Sequence, residues 1–412
     1  MKLKPRILGI GSIFTATILL LSACASSQEP TVEPAATVEK TVQDEPKQEV
    51  EAEPEAEKMP GKGPECPTDH CVSVTVSGDL LFHESLWSPF AIDQTAAGLN
   101  FDFDPLFEGL RPYLEKADLN ICQAETPFAQ SGGPYAAYPV FNTPPEVAHA
   151  AKDAGFDVCT TASNHSVDQG TEGLVRSLDL LDEIGLKHTG TYRTPEEYDD
   201  VLIVEANDTK IGIITSTFSL NGFEAEEYWM VDYPLDSDRV IAKAKQAREQ
   251  GADLVIAALH AGEEYWDEPN EQQYTHAHAL AESGEIDFIY SHHAHAVQPL
   301  EKVGDKWILY GTGNLISESA PPERQMNNEF LLTRVQFAKQ DDGSWATNDV
   351  SWVPGTNIQN GEYRWCSVAS DSPQGVCQSP EFDAGVYERT KNTVNAYGAA
   401  ENGAREWLVT QE

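Results

Sequence analysis

Positive charge is scarce in this chain. Its 412 residues carry 27 Lys and Arg against 67 Asp and Glu, a net charge of −40. Such a surface repels nucleic acid and other polyanions at long range and gains nothing from an anionic membrane. Nucleic-acid partners are therefore excluded. Also missing from any suitable context are a G-x-S-x-G elbow, a P-loop and a dinucleotide fingerprint, which argues against the chemistries those motifs serve. No solenoid period recurs. An anionic substrate would need a local cation to offset the surrounding charge, and bound metal is the obvious one. Much of the acidity also serves plain solubility.

Long apolar runs are few. The stretch Ile7 to Leu21 falls short of the roughly 20 residues of a comfortable membrane span. Lys2, Lys4 and Arg6 precede it, and Leu21-Ser22-Ala23-Cys24 follows. This pattern resembles the lipobox of bacterial lipoproteins. The resemblance implies a leader over 1–23, lipid on Cys24, and a chain anchored to the cell membrane on its extracytoplasmic face. Each buried acyl CH₂ contributes about 0.8 kcal/mol to such an anchor. From 24 to 65 the sequence is rich in Glu, Pro, Ala, Val and Thr with no hydrophobic period; it reads as a disordered, self-repelling tether.

Cysteine is also sparse, at seven residues. With Cys24 assigned to lipid, an even number remains for an oxidising compartment. Cys66 with Cys71 and Cys366 with Cys377 are close pairs in loop-like sequence and are expected disulfides. Cys122 and Cys159 lie in expected strands; they either pair across neighbouring strands or pack as small free thiols.

What is present is a regular alternation. Expected strands are Val72–Val76, Asp118–Ala124, Phe156–Thr161, Asp253–Leu259, Asp287–Tyr290, Lys306–Tyr310 and Phe330–Phe337. Expected helices are Pro105–Lys116, Pro145–Ala154, Thr171–Ile184, Asp236–Gln250 and Glu271–Glu282. Val201–Glu205 and Lys210–Thr215 flank Asn207-Asp208 as a hairpin. The fold class is α/β, a layered mixed sheet core flanked by helices. The core domain is expected over 66–340. From Trp345 the pattern weakens, and 341–412 reads as a disulfide-stapled C-terminal extension packed on the core.

In open α/β sheets, ligands sit beyond the carboxyl ends of strands. Directly after the apolar runs come Asp79, Glu125, Asn164-His165, His260 and His293-x-His295. A lone strand-end Asp is more often a helix cap, and a lone His is more often a satisfied core or surface residue. Five strand ends supplying such groups in register point instead to one divalent-metal site. Carboxylates, an amide oxygen and several imidazoles suit Mn, Zn or Fe, as one ion or two, rather than the all-oxygen preference of Mg or Ca.

At these residues the chain resembles the poly-γ-glutamate capsule biosynthesis CapA family, whose fold is metallophosphatase-like (calcineurin-like). The likeness runs from about Val72 to Ser317. It takes in Gly78-Asp79, Gln123-Ala124-Glu125, Ser163-Asn164-His165-Ser166-x-Asp168-x-Gly170, His260-Ala261-Gly262-x-Glu264-Tyr265, His292-His293-x-His295 and Tyr310-x-x-Gly313-Asn314. The resemblance implies that Asp79 and His295 hold one metal, with Glu125 bridging, and that Asn164, His260 and His293 hold the other. It casts His165 as general acid and places Gly313-Asn314 at the floor, with Asn314 a possible further ligand. Gln123, Ser163, Ser291 and Ala294 depart from the family pattern without removing a ligand. Asp79 is followed by Leu80-Leu81, so the first metal lacks the imidazole of a D-x-H; His83 either supplies it or lines the cleft. Two functions follow. One is a metal-dependent hydrolase acting on a phosphoester, or on an amide of the capsule polymer. The other is a non-catalytic accessory subunit that binds poly-γ-glutamate or capsule synthase subunits through the same cleft.

Overall fold

The computed structural model describes residues 63–92, 98, 100–317 and 326–408. The leader, Cys24 and most of the tether lie outside the described residues. Two sheets face each other, and helices cover their outer sides. The chain starts the first sheet with β1 (Cys71–Leu81), β2 (Leu119–Ala124), β3 (Val158–Thr160) and β4 (Lys187–Thr189). It then builds the second from β5 (Leu202–Ala206), β6 (Thr209–Thr217), β7 (Leu254–His260), β8 (Phe288–His292), β9 (Leu300–Val303) and β10 (Lys306–Leu309). It returns to the first through β11 (Asn314–Ser317), β12 (Glu329–Lys339), β13 (Trp345–Gln359), β14 (Glu362–Ser367) and β15 (Arg405–Glu406).

The first sheet runs β14-β13-β12-β1-β2-β3-β4, with β11 also on β1 and β15 on β13; the second runs β5-β6-β7-β8-β10-β9. Both are mixed. β1, β2, β3 and β4 are parallel neighbours, as are β6, β7 and β8, whereas β12 lies antiparallel to β1.

The period-two pleat explains the layers. On β7, Leu254, Ile256 and Ala258 join the core between the sheets, facing Val72, Val74 and Val76 of β1. Val255, Ala257 and Leu259 turn the other way, onto Val240 and Ala244 of the helix Ser237–Glu249 and Leu280 of the helix Glu271–Glu282. A strand buried on both faces reads as one continuous apolar run, as this one does. Outside the first sheet, Leu80, Phe82 and Cys122 pack on Leu106, Val147 and Ala151.

The layered α/β architecture is as expected, and all three cysteine pairs form: Cys66–Cys71, Cys122–Cys159 and Cys366–Cys377. Two elements differ from expectation. The span 105–116 is two short helical turns, Asp104–Phe107 and Arg111–Leu114. Pro112 lacks the N–H that would continue one helix through, and Gly109 has room for no side chain against Trp365 O. The extension is stapled by Cys366–Cys377, yet it also enters the sheet. β13 pairs antiparallel with β12 from Glu329↔Thr356 to Lys339↔Trp345, and Trp365 and Trp407 are buried in the helix-side core.

Candidate metal centre

The carboxyl ends of both sheets open on one side and deliver their side chains to a common point. On β1 the register against β2 slips between Val76 and Asp79, and against β11 between Asp79 and Leu80. Such a bulge re-aims a side chain. Asp79 is fully buried, and its N–H donates to Gly313 O at 3.3 Å. Glu125 directly follows β2. Asn164 and His165 occupy the turn after β3, and His260 ends β7. His292 ends β8; His293 and His295 follow with left-handed backbone, φ 83° and 51°. Asn314 opens β11.

The structure brings Asp79, Glu125, Asn164, His260, His293 and His295 into one buried pocket. Asp79 Oδ1 lies 3.9 Å from His260 Nδ1 and Asp79 Oδ2 lies 3.5 Å from His295 Nδ1. Glu125 Oε1 is 3.8 Å from both His260 Nε2 and His295 Nε2. His260 Nε2 is 2.9 Å from Asn164 Oδ1. The His293 N–H donates to Asp79 Oδ2 at 3.2 Å, and its ring centroid is 5.1 Å from that of His260. Two groups have ligand atoms within 4.8 Å of one another: Asp79, His260 and His292; and Asp79, Glu125 and His295. Asp79 is common to both. His292, which the sequence places directly before His293, falls in the first of these groups.

Hydrogen bonding decides which nitrogens are bare. Ser77 O can only accept, so His292 Nε2 donates to it at 3.1 Å, leaving Nδ1 as the lone pair. Asn314 Nδ2 donates to Asn327 O, so its Oδ1 accepts from His295 Nδ1 at 2.8 Å and His295 Nε2 is turned toward Glu125 Oε1. Asn314 therefore orients an imidazole. His260 donates from Nε2 to Asn164, leaving Nδ1 bare. Among the described residues, no protein group satisfies Asp79 Oδ1, either oxygen of Glu125, or Nδ1 of His260, His292 or His293. Lone pairs that face one another in a buried pocket repel unless a proton or a cation lies between them. The donor set, carboxylate oxygens with imidazole nitrogens, fits Mn, Zn or Fe.

Without a cation, protons carry that balance. Burial pushes the Glu125 carboxyl well up, and the Asp79 charge adds to the shift. Burial resists protonation of His295, but Glu125 and Asp79 overcome it and raise the ring to about 10. Burial alone would raise Asp79, yet the His295 hydrogen bond and the neighbouring imidazoles leave it below the usual range. Burial, then the positive His295, lowers His293 to about 3. His260 is held well down by burial and by His293.

His165 stands beside the cluster. Its Nδ1 donates to Asp168 Oδ2 at 2.7 Å, and the same oxygen accepts the Phe141 N–H at 2.7 Å. Phe141 packs edge-on to both His165 and His83, at 4.8 and 5.4 Å. Among the described residues His83 belongs to neither ligand group; its ring packs on Phe141. Sequence reading gave Asp168 no site role; its spacing of three from His165 was the available signal. Asn221, which reaches both Asn164 and His165, carried no signal beyond an Asn-Gly turn.

A family model described as "Bacterial capsule synthesis protein PGA_cap" matches residues 73–319, more than half of the chain. The chain belongs to this family. The family match starts in β1 and runs past β11, so it encloses every residue of the pocket. Among curated relatives, "Capsule biosynthesis protein CapA" of Bacillus anthracis is 26% identical over 69% of this chain and 63% of its own length. "PGA biosynthesis protein CapA" of Bacillus subtilis is 27% identical over 52% of this chain and 57% of its own. The matches thus span about three fifths of those relatives. A "Probable polyglutamine synthesis accessory protein" of Mycobacterium tuberculosis is 24% identical over 39% of this chain and 45% of its own length. Among solved structures, the calcineurin-like phosphoesterase YfkN of Bacillus subtilis is 15% identical with a TM-score of 0.45, covering 79% of this chain and 98% of that one.

Proposed function

We propose that this protein is a divalent-metal-dependent hydrolase of the extracytoplasmic cell surface, anchored through lipid on Cys24, and that it cleaves a phosphoester in the making of a poly-γ-glutamate capsule. One observation carries the metal reading: among the described residues, five buried acceptor atoms of Asp79, Glu125, His260 and His292 have no protein donor, and these residues fall, with His295, into the two groups whose ligand atoms lie within 4.8 Å of one another. Asp79 would serve two ions, Glu125 and His295 completing one group and His260 with His292 the other. His293 and Asn164 border the second. A divalent cation there supplies Lewis acidity and the positive charge that the chain lacks.

The catalytic reading rests on His165. Hydrolysis adds water across a P–O bond, and the departing oxygen needs a proton. Asp168 holds the His165 Nδ1–H, so the ring takes up a second proton on Nε2, gives it to the departing oxygen as general acid and returns to the neutral form, then recovers one from solvent. A group that served only to bind metal would not need this dyad. Partners in this reading are the capsule polymer and its membrane synthase. Attachment in this reading is through the lipid on Cys24, with 24–65 as tether; among the described residues no helix is long and apolar enough to cross a membrane.

The name of the mycobacterial relative supports a second reading, an accessory subunit that binds polymer or synthase through the same cleft. One variant separates the two. We expect His165→Ala to keep its metal while phosphodiester turnover, assayed with Mn²⁺ or Zn²⁺, falls by about 10²–10⁴-fold. Unchanged turnover removes His165 as the acid. Polymer binding that survives the substitution, in a protein with no turnover to lose, favours the accessory role.

A further inference from the structure

Asn221 lies in the turn after β6. Its backbone is left-handed at φ 53°, and its N–H donates to Ser219 Oγ at 3.0 Å. Phe223 N–H closes the turn onto Leu220 O at 2.8 Å. From there the Asn221 amide reaches two site residues at once. Asn164 Nδ2 donates to its Oδ1 at 3.3 Å, and its own Nδ2 lies 3.5 Å from His165 Nε2. Extended both ways, this makes one run of hydrogen bonds: His260 to Asn164, Asn164 to Asn221, Asn221 to His165, and His165 to Asp168.

Every donor in the run points the same way, and elementary chemistry sets the direction. The Asp168 carboxylate accepts, so a neutral His165 carries its hydrogen on Nδ1 and offers a lone pair at Nε2. The amide facing that lone pair must present Nδ2. Its Oδ1 then faces Asn164, which must present Nδ2 in turn. Only Asn164 Oδ1 is left for His260, so Nε2 of that ring donates and its lone pair falls on Nδ1, 3.9 Å from Asp79 Oδ1.

We infer that Asn221 is a positioning residue, whose side-chain amide locks His165 and His260 into complementary tautomers and so fixes which nitrogen His260 offers to a cation. The role toward metal rests on the proposed function; the tautomer lock does not. Without Asn221 the Asn164 amide is free to turn over, and His260 can present either nitrogen. Outer partners of this kind typically set metal affinity by about 10–100-fold.

The test uses two variants of the full chain. Asn221→Gly removes the amide and keeps the left-handed turn. Asn221→Asp keeps an acceptor for Asn164 Nδ2 and tolerates the same backbone. ¹⁵N spectra of labelled histidine in the metal-free protein read the tautomer, and Mn²⁺ titration reads affinity. Wild type should show distinct protonated Nε2 and bare Nδ1 signals for His260. Asn221→Gly should merge them toward an average and weaken Mn²⁺ by about 10–100-fold; Asn221→Asp should restore both. A His260 tautomer that survives Asn221→Gly overturns the inference, whatever the affinity does. Merged signals in a protein that binds no Mn²⁺ at all, wild type included, would uphold the lock and defeat the metal reading.

Discussion

Single residues in the pocket differ in what burial does to them, and the difference sets a pH dependence. Burial lowers His83 to about 4 and, with His295, lowers His293 to about 3. The unfolded chain takes protons on these rings near pH 6.5, while the folded one refuses them. Stability of the metal-free protein therefore falls as pH drops from about 6.5 to about 4. His295 acts in the opposite sense. Raised to about 10, it contributes stability that is full below about 6.5 and lost as pH rises from there to about 10. Thermal unfolding of metal-free protein should peak between the two limbs, and His83→Asn should flatten the acid one. An acid limb unaltered by that substitution contradicts the burial of a neutral His83. Which late imidazole points where was not legible in sequence. Strand alternation ends at His292, and positive φ at His293 and His295 cancels the period-two rule on which such a reading depends.

At the scale of elements, the pocket depends on a close approach between β1 and the turn before β11. A side chain on Gly78 would run into Gly313 O and stand 2.9 Å from Leu315 N, both backbone atoms that cannot turn aside. Gly78→Ala should cost about 1–3 kcal/mol in urea unfolding and weaken divalent-cation binding, since Asp79 is the next residue. Unchanged stability would mean that this contact does not hold the bulge. Most elements were legible because burial writes itself into the period. β7 is apolar on both faces, and β5 and β6 flank Asn207 and Asp208, both at positive φ as such a turn requires. β13 was not legible: Thr347, Asn348 and Asp349 break its apolar alternation, although Asp349 is paired with Arg405. Nor was Asn221, because a loop amide acquires its role only from the residues that the fold brings to it.

For the molecule as a whole, the first sheet is continuous across the expected domain boundary near residue 340. A chain ended there would strip β13 from β12 and remove Trp365 and Trp407 from the helix-side core. It would leave a long unpaired edge, which invites aggregation. Such a fragment should be recovered insoluble or unfolded, as read by soluble yield and circular dichroism. A well-folded 63–340 fragment would show that the extension is dispensable. The net charge of −40 belongs to this scale too, since an anionic substrate approaching such a surface would need a local positive charge, which the proposed cation would supply. The central claim is that the two strand-end sets share Asp79 around divalent metal. The most direct measurement is the metal content of the purified chain beside Asp79→Ala, by elemental analysis. The account predicts bound Mn, Zn or Fe in the wild type and its loss from the variant; equal metal in both, or none in either after incubation with those ions, would contradict it.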